Sequence, residues 1–155
     1  MTDQADHHEC SIAKATNVRR LVVVGAGGMG RELWSMVQQL NRSLDQPAWQ
    51  LVGFLATTPP GGRLLERLGA PYLGNSEDCS VLDGLRGDYF IAAIGDGRAR
   101  RGVQLELRAG GLRPAVLVAH SADIGQDVHL GRGTIVCNRS VVTTNVWIGE
   151  GVQVN

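Results

Sequence analysis

No stretch of this sequence approaches the ~18 consecutive apolar residues of a membrane-crossing helix. The longest strand-like apolar run, Leu21 to Val24, stops at Gly25, so no membrane partner is expected. Neither sign of charge is in excess: Lys+Arg and Asp+Glu each total 15 in 155 residues. A nucleic-acid-binding domain carries a basic surplus, so nucleic acid is not an expected partner either. Cysteine is scarce. Cys10, Cys79 and Cys137 are odd in number and without C-x-x-C spacing, which gives neither a disulfide framework nor a zinc site. A reducing, cytoplasmic setting is the simplest reading. Met1 to Asn17 has no apolar core and meets acids before any base, unlike a secretory signal. Residues 1–19 read as a disordered leader. His7 and His8 lie inside it and read as part of a solvated tail, not as metal ligands.

What the sequence does have is a repeat of six. Ile124, Leu130, Val136, Val142, Ile148 and Val154 follow one another at six-residue intervals. Two residues ahead of each stand Ala122, Val128, Thr134, Ser140, Val146 and Val152, all small or β-branched. Gly125, Gly131 and Gly149 follow three of the aliphatic residues. Neither the 3.6-residue period of a helix nor the two-residue period of a flat strand produces this pattern. A three-faced coil does, with one hexapeptide per face, the aliphatic residue inside and the small residue letting the chain turn the corner. Hexapeptide repeats of this kind mark parallel β-helices.

The N-terminal part has a different grammar. Arg20 to Gly25 reads as a central parallel strand. Gly25-Ala-Gly-Gly-Met-Gly30 follows, then a helix from Arg31 to about Gln39. Further strands are expected at Trp49–Leu55, Pro71–Leu73, Asp88–Ile94 and Pro114–Val118. Helices are expected at Arg63–Leu68, from an N-cap at Ser76 to about Leu85, and at Arg98–Ala109. Strands alternating with helices give a parallel sheet with right-handed crossovers. The fold class is therefore α/β: a small Rossmann-like parallel-sheet domain over residues 20–119, then the first coils of a left-handed parallel β-helix over 120–155, beginning near Ser121.

Ligands of such sheets bind at the carboxyl ends of the strands. Two strand exits are chemically suited. Gly25, Gly27 and Gly30 fit G-x-G-x-x-G between a strand and a helix, where backbone N–H groups receive a phosphate. Gly28 and Met29 complete that loop, and Gly95, Asp96 and Arg100 form the opposite wall. The glycines equally suit a tight strand–helix turn with no ligand. A nicotinamide dinucleotide normally needs an acid near the end of the second strand; here that strand runs Gly53-Phe-Leu-Ala-Thr57.

Both halves together resemble the sugar O- and N-acyltransferases of the sialic-acid O-acetyltransferase and bacillosamine N-acetyltransferase type. The resemblance rests on Val22-Val-Val-Gly-Ala-Gly-Gly-Met-Gly-Arg-Glu32, Val52-Gly-Phe-Leu55, Gly69-Ala-Pro-Tyr-Leu-Gly74, Phe90-Ile-Ala-Ala-Ile-Gly95 with Arg100, and His120-Ser-Ala122. It implies that the first domain holds a nucleotide-activated sugar. It also implies that the coil trimerises and binds acetyl-CoA between subunits. Where that family commonly has Asp after the Gly-Phe-Leu strand, this chain has Ala56 and Thr57. The family's catalytic His falls a few residues past the position of Asn155. The expectation is therefore the N-terminal part of a longer enzyme, with no catalytic residue among the 155.

Single residues read accordingly. His120 is expected at the domain junction and His129 on the outside of the coil. Trp147 should face outward, and Cys137 has no visible paired base. Asp96 suits a ribose contact and a helix N-cap equally. Two further functions stay open: a nucleotide-sugar binding module without catalysis, and an NAD-dependent oxidoreductase fragment.

Overall fold

A computed structural model describes residues 18–155. Residues 1–17 of the expected leader, with His7, His8 and Cys10, lie outside the described residues, and Arg19 belongs to the first strand. The first strands are β1 (Arg19–Val24), β2 (Trp49–Leu55), β3 (Tyr72–Gly74), β4 (Tyr89–Ala92) and β5 (Arg113–Pro114). They form one parallel sheet in the order β3-β2-β1-β4-β5. The helices between them are α1 (Gly28–Arg42), α2 (Leu64–Arg67), α3 (Cys79–Asp83) and α4 (Gly97–Ala109).

Alternation along β1 explains why the sheet is covered on both faces. Leu21 and Val23 join the cluster under α1 with Leu33, Val37, Phe54 and Ile91. Val22 and Val24 point the other way, to Leu55, Phe90 and Leu107 of α4. Successive side chains of a strand leave opposite faces, so a fully apolar β1 needs a layer on each side. The chain winds one way from β1 to β3 and the other way from β4 to β5. The order therefore reverses between β1 and β4, which puts the ligand crevice of this fold at Gly25 and Ala93–Gly95.

Seven short strands follow: β6 (Leu117–Val118), β7 (Asp123–Ile124), β8 (Val128–Leu130), β9 (Ile135–Val136), β10 (Val141–Val142), β11 (Val146–Ile148) and β12 (Gln153–Val154). They stack as three parallel ladders, β6-β9-β12, β7-β10 and β8-β11. Val142 pairs with Ile124, Ile148 with Leu130, and Val154 with Val136. Each hexad residue thus lies directly over its counterpart one coil earlier. Val142 is buried while Val141 beside it is exposed, and Trp147 is exposed beside the half-buried Ile148. The aliphatic row points inward, as its spacing requires.

Two expectations are corrected. The coil begins at β6, before Ser121: Leu117 and Val118 pair with Ile135 and Val136 as the first rung of a face. Only Arg113–Pro114 completes the sheet. Nor do the small residues turn the corners. The left-handed conformation falls at Asp127, Gly133, Arg139, Asn145 and Gly151, with φ between 54° and 74°, again every sixth residue. Thr134 and Ser140 of that row are buried. Thr134 Oγ1 donates to the Gly149 carbonyl at 2.9 Å and Ser140 Oγ to the Val154 carbonyl at 3.2 Å, so each buried hydroxyl finds an acceptor in the coil above. Two of the glycines after the aliphatic row serve close approach: a Cβ on Gly125 would lie 2.7 Å from the Thr143 carbonyl carbon and one on Gly131 would run into the Gly149 backbone, whereas one on Gly149 meets nothing within 4 Å.

The first face of the coil is part of the α/β core. Leu117, Ala119 and Ile135 are buried in the same cluster as Leu33 and Phe54. Helix α4 runs along one corner of the coil. There Arg100 Nε donates to the Gly151 carbonyl at 2.9 Å, and Arg108 pairs with Glu150 at 3.0 Å. On the other side Gln153 Nε2 reaches Met29 Sδ at 3.2 Å. Both halves are thereby held in one arrangement.

Candidate nucleotide-sugar site

The turn from β1 into α1 is tight because two glycines let backbone meet backbone. A Cβ on Gly30 would run into the Gly25 carbonyl, and one on Gly25 would lie 2.8 Å from the Ala93 carbonyl oxygen. Gly25 has φ +102°, a conformation that L side chains rarely adopt. The helix therefore starts close against the β1 and β4 exits. Gly27 is its N-cap and offers no side chain. The N–H groups of Gly28, Met29 and Gly30 have no hydrogen-bond acceptor among the described residues. Such a set of free donors at a helix N-terminus favours an anion.

A crevice of about 470 Å³ lies at the switch point, over Gly25, Gly27, Ala56, Thr57, Ser76 and Ile94. Its floor is held by Tyr72, whose hydroxyl donates to the Ala56 carbonyl at 3.0 Å. No carboxylate lines it among the described residues. A second cavity, of about 890 Å³, lies between the outer side of α1, α2 and the coil. Gly28, Glu32, Gln39, Arg67, Asn138 and Asn155 are among its walls. Arg31 and Leu64 line both spaces. The two cavities therefore meet at the N-terminus of α1, with Gly27 on one side and Gly28 on the other. Arg31 Nη1 donates to the Ala26 carbonyl at 3.1 Å, which fixes its guanidinium at that junction.

The residues expected from sequence are not all used alike. Gly25 and Gly27 line the crevice and Gly28 the larger cavity, while Gly30 is buried. Met29 turns to the coil. Asp96 caps α4, accepting from the Ala99 N–H at 2.8 Å. Arg100 Nη1 donates to the carbonyls of Ile94 at 2.6 Å and Gly95 at 3.1 Å. With Nε on Gly151, Arg100 ties the β4 exit to the coil and lines neither cavity at this site. Ser76 lines the crevice and does not cap α3; that cap is Asp78, which accepts from the Ser80 N–H at 2.9 Å and the Ser80 hydroxyl at 2.7 Å. Those two donors hold the Asp78 carboxyl below its ordinary range.

Sequence reasoning passed over Arg31, Glu32, Asn138 and Asn155. A base directly after the glycine loop was the available signal for Arg31. Asn155 directly follows the inward Val154 and Asn138 stands two after the inward Val136, beside the coil face that packs on α1, and only the assembled fold shows that. Cys137 lies on the same cavity wall. Partial burial, and then the charge of Glu32, push its thiol above the ordinary value, which makes it a poor nucleophile. His120 and His129 line neither cavity. His129 stacks on Trp147 at 4.2 Å between ring centroids, on the outside of the coil.

Residues 20–107 match the PglD N-terminal domain family. The chain belongs to that family. Among solved structures it is similar to the acetyltransferase domain of PglB from Neisseria gonorrhoeae in complex with acetyl coenzyme A. The identity is 26% and the TM-score 0.74, over 90% of this chain and 62% of that one. It shares the fold of PerB from Caulobacter crescentus in complex with CoA and GDP-perosamine, with 21% identity and a TM-score of 0.74 over 90% of this chain and 61% of that one. The chain thus spans about 62% of the length of the PglB domain. No curated protein matches it. No described helix is long and apolar enough to cross a membrane.

Proposed function

We propose that this chain holds the nucleotide-sugar substrate of an acetyl-CoA-dependent sugar acyltransferase, one that acetylates a sugar amine or hydroxyl in bacterial surface-glycan synthesis. The observation that carries the reading is the junction of two cavities at the N-terminus of α1. The nucleoside occupies the crevice beside Thr57 and Ile94. The diphosphate lies over the N–H groups of Gly27, Gly28, Met29 and Gly30, with Arg31 alongside. The sugar occupies the larger cavity, against the first coils. Gly95, Asp96 and Arg100 act behind the site by setting the β4 exit. Cavities of several hundred Å³ with a few convergent polar groups are the usual form of small-ligand sites.

The neighbours support the rest by analogy. PglB is described with acetyl coenzyme A, and PerB with CoA and GDP-perosamine. In this reading acetyl-CoA is the co-substrate of the whole enzyme, bound along the coil in a homotrimer. The outward Val141 and Trp147, 64% and 80% exposed, suit such a subunit contact. The nucleotide-sugar domain runs from β1 to β5, and the coil from β6 onward. A cytoplasmic setting fits the free thiols of Cys79 and Cys137. The proton of the attacking group is taken by a general base other than His120 or His129, since neither lines the site and a base must lie within hydrogen-bond reach.

Calorimetry with UDP-, GDP- and CMP-sugars and with NAD tests the substrate assignment. Micromolar to millimolar binding of a nucleotide sugar is expected. Tight NAD binding with no response to any nucleotide sugar rejects it.

A further inference from the structure

Helix α4 and the coil enclose a cavity of about 350 Å³ that shares no wall residue with the two cavities at α1. Arg101, Leu105 and Arg108 line it from the helix, and Glu150, Gly151 and Val152 from the coil. The three helix residues stand at i, i+4 and i+7, so they share one side of α4. The deeper wall is fixed in place. Arg100 Nε donates to the Gly151 carbonyl at 2.9 Å. Gln104, buried beside it, donates to the Gly133 carbonyl. At the far end Arg108 pairs with Glu150 at 3.0 Å.

The chain as a whole is balanced, with 15 bases and 15 acids, yet this wall sets Arg100, Arg101 and Arg108 against Glu150 alone. Arg100 is engaged by backbone carbonyls and Arg108 by Glu150. Arg101 makes no ion pair among the described residues. Gly97, the first residue of α4, also lines the cavity, so the positive end of the helix dipole lies one turn from Arg101. Asp96 caps that end through the Ala99 N–H and is not part of the wall. Beyond Arg101 the lining turns aliphatic: Leu105 and Val152 are 55% and 37% exposed. From Gly97 to Arg108 the helix advances about 16 Å. One end therefore suits a phosphate, which a guanidinium fork grips well, and the middle suits carbon. We propose that this cavity is a second anion site, for a phosphate monoester the size of a sugar phosphate. Its phosphate lies at Arg101 and its carbon body along Leu105 and Val152. The site is independent of the nucleotide-sugar reading, since it uses none of the residues at α1.

The test is backbone-amide NMR of the 155-residue chain, titrated with inorganic phosphate and with glucose 1-phosphate. Saturable shifts are expected at residues 97–108 and 150–153. Glucose 1-phosphate should bind at least about threefold more tightly than inorganic phosphate, because its ring covers Leu105 and Val152. Arg101→Gln should weaken binding of glucose 1-phosphate about tenfold by removing a charged donor. Arg98→Gln takes the same charge from the same helix but from outside the cavity wall, and should change binding by less than about twofold. Both arginines are exposed, so both variants should keep the wild-type spectrum elsewhere. Shifts confined to residues 27–30 would put the anion at α1 and overturn the second site. No saturable shift, or an equal loss in R98Q and R101Q, would overturn it too, the latter by reducing it to diffuse charge. Equal affinity for phosphate and its ester would overturn the seat along Leu105 and Val152.

Discussion

Gly133 leaves its corner of the coil open to the side chain of Gln104: a Cβ at that corner would lie 2.5 Å from Gln104 Nε2. Gln104 is 8% exposed, and its Nε2 donates to the Gly133 carbonyl at 3.4 Å. Gly151, one coil later, makes room for the same side chain. Helix α4 is thus seated against the coil by one amide and two glycine corners. Both corners have positive φ, +74° and +68°.

The first prediction concerns that seat. Gly133→Ala should destabilise the chain by about 1–3 kcal/mol, because Ala is held at positive φ and Gln104 is displaced. In a Gln104→Ala background the penalty should fall but not vanish, since the backbone conformation remains. Urea unfolding of the two single variants and the double variant measures the coupling. Equal penalties in both backgrounds would show that Gln104 plays no part.

A second prediction separates two glycines of one loop. Gly30→Ala puts a Cβ into the Gly25 carbonyl and within 3.2 Å of the Phe54 ring. Backbone cannot yield there, and a loss of about 3 kcal/mol or more is expected. Gly28→Ala meets nothing within 4 Å and stands in the first turn of α1, so stability should change by less than about 1 kcal/mol. Nucleotide-sugar affinity should nevertheless fall, because the methyl stands where the diphosphate is proposed to lie. Unchanged calorimetric binding in a fully folded G28A would move the phosphate site elsewhere.

How far these features could be read in advance differs by region. The inward row from Ile124 to Val154 was legible because a prism interior accepts only apolar residues at one repeating position. Val118 belongs to the same row, six before Ile124, but it follows Pro114-Ala-Val-Leu117 and so reads as the end of a sheet strand. The corners were hidden because three of them fall at Asp127, Arg139 and Asn145, residues without glycine's freedom, with hydrogen bonds between successive coils at these corners. Asn145 Nδ2 donates to Asp127 Oδ2 at 2.8 Å, and the Arg139 N–H to Ser121 Oγ at 3.2 Å. The G-x-G-x-x-G turn was legible because backbone approach demands glycine. The larger cavity was not: Glu32 and Asn155 stand on elements that meet only after the coil has docked on α1.

A third prediction follows from the Cys137 thiol. Its folded-state value is raised, chiefly by burial and then by Glu32. The neutral thiol is the form the fold accommodates. Its contribution is therefore complete below the unfolded thiol value and is lost as pH rises through the higher folded value. Stability should decline in that alkaline window, and less so in Cys137→Ser. Iodoacetamide at pH 8 should label Cys137 slowly, and Glu32→Gln should speed the reaction by removing the secondary cause. A slower reaction in E32Q would contradict the proximity of carboxylate and thiol.

The fourth prediction concerns catalysis. His129 is turned outward onto Trp147 with Asp127 Oδ1 at 3.5 Å from Nε2, and His120 is exposed between β6 and β7. Neither reaches the cavity where the sugar is proposed to lie. His120→Ala and His129→Ala should therefore leave nucleotide-sugar affinity unchanged. A general base typically contributes about 10²–10⁴ in rate, and correct placement of the thioester adds to it. Neither histidine lines that cavity, so any thiol release from acetyl-CoA in the presence of amino- or hydroxy-sugar nucleotides should survive both substitutions. Robust turnover that either histidine variant abolishes would mean that the sugar lies against the outer surface of the coil, and that the cavity beside α1 serves something else.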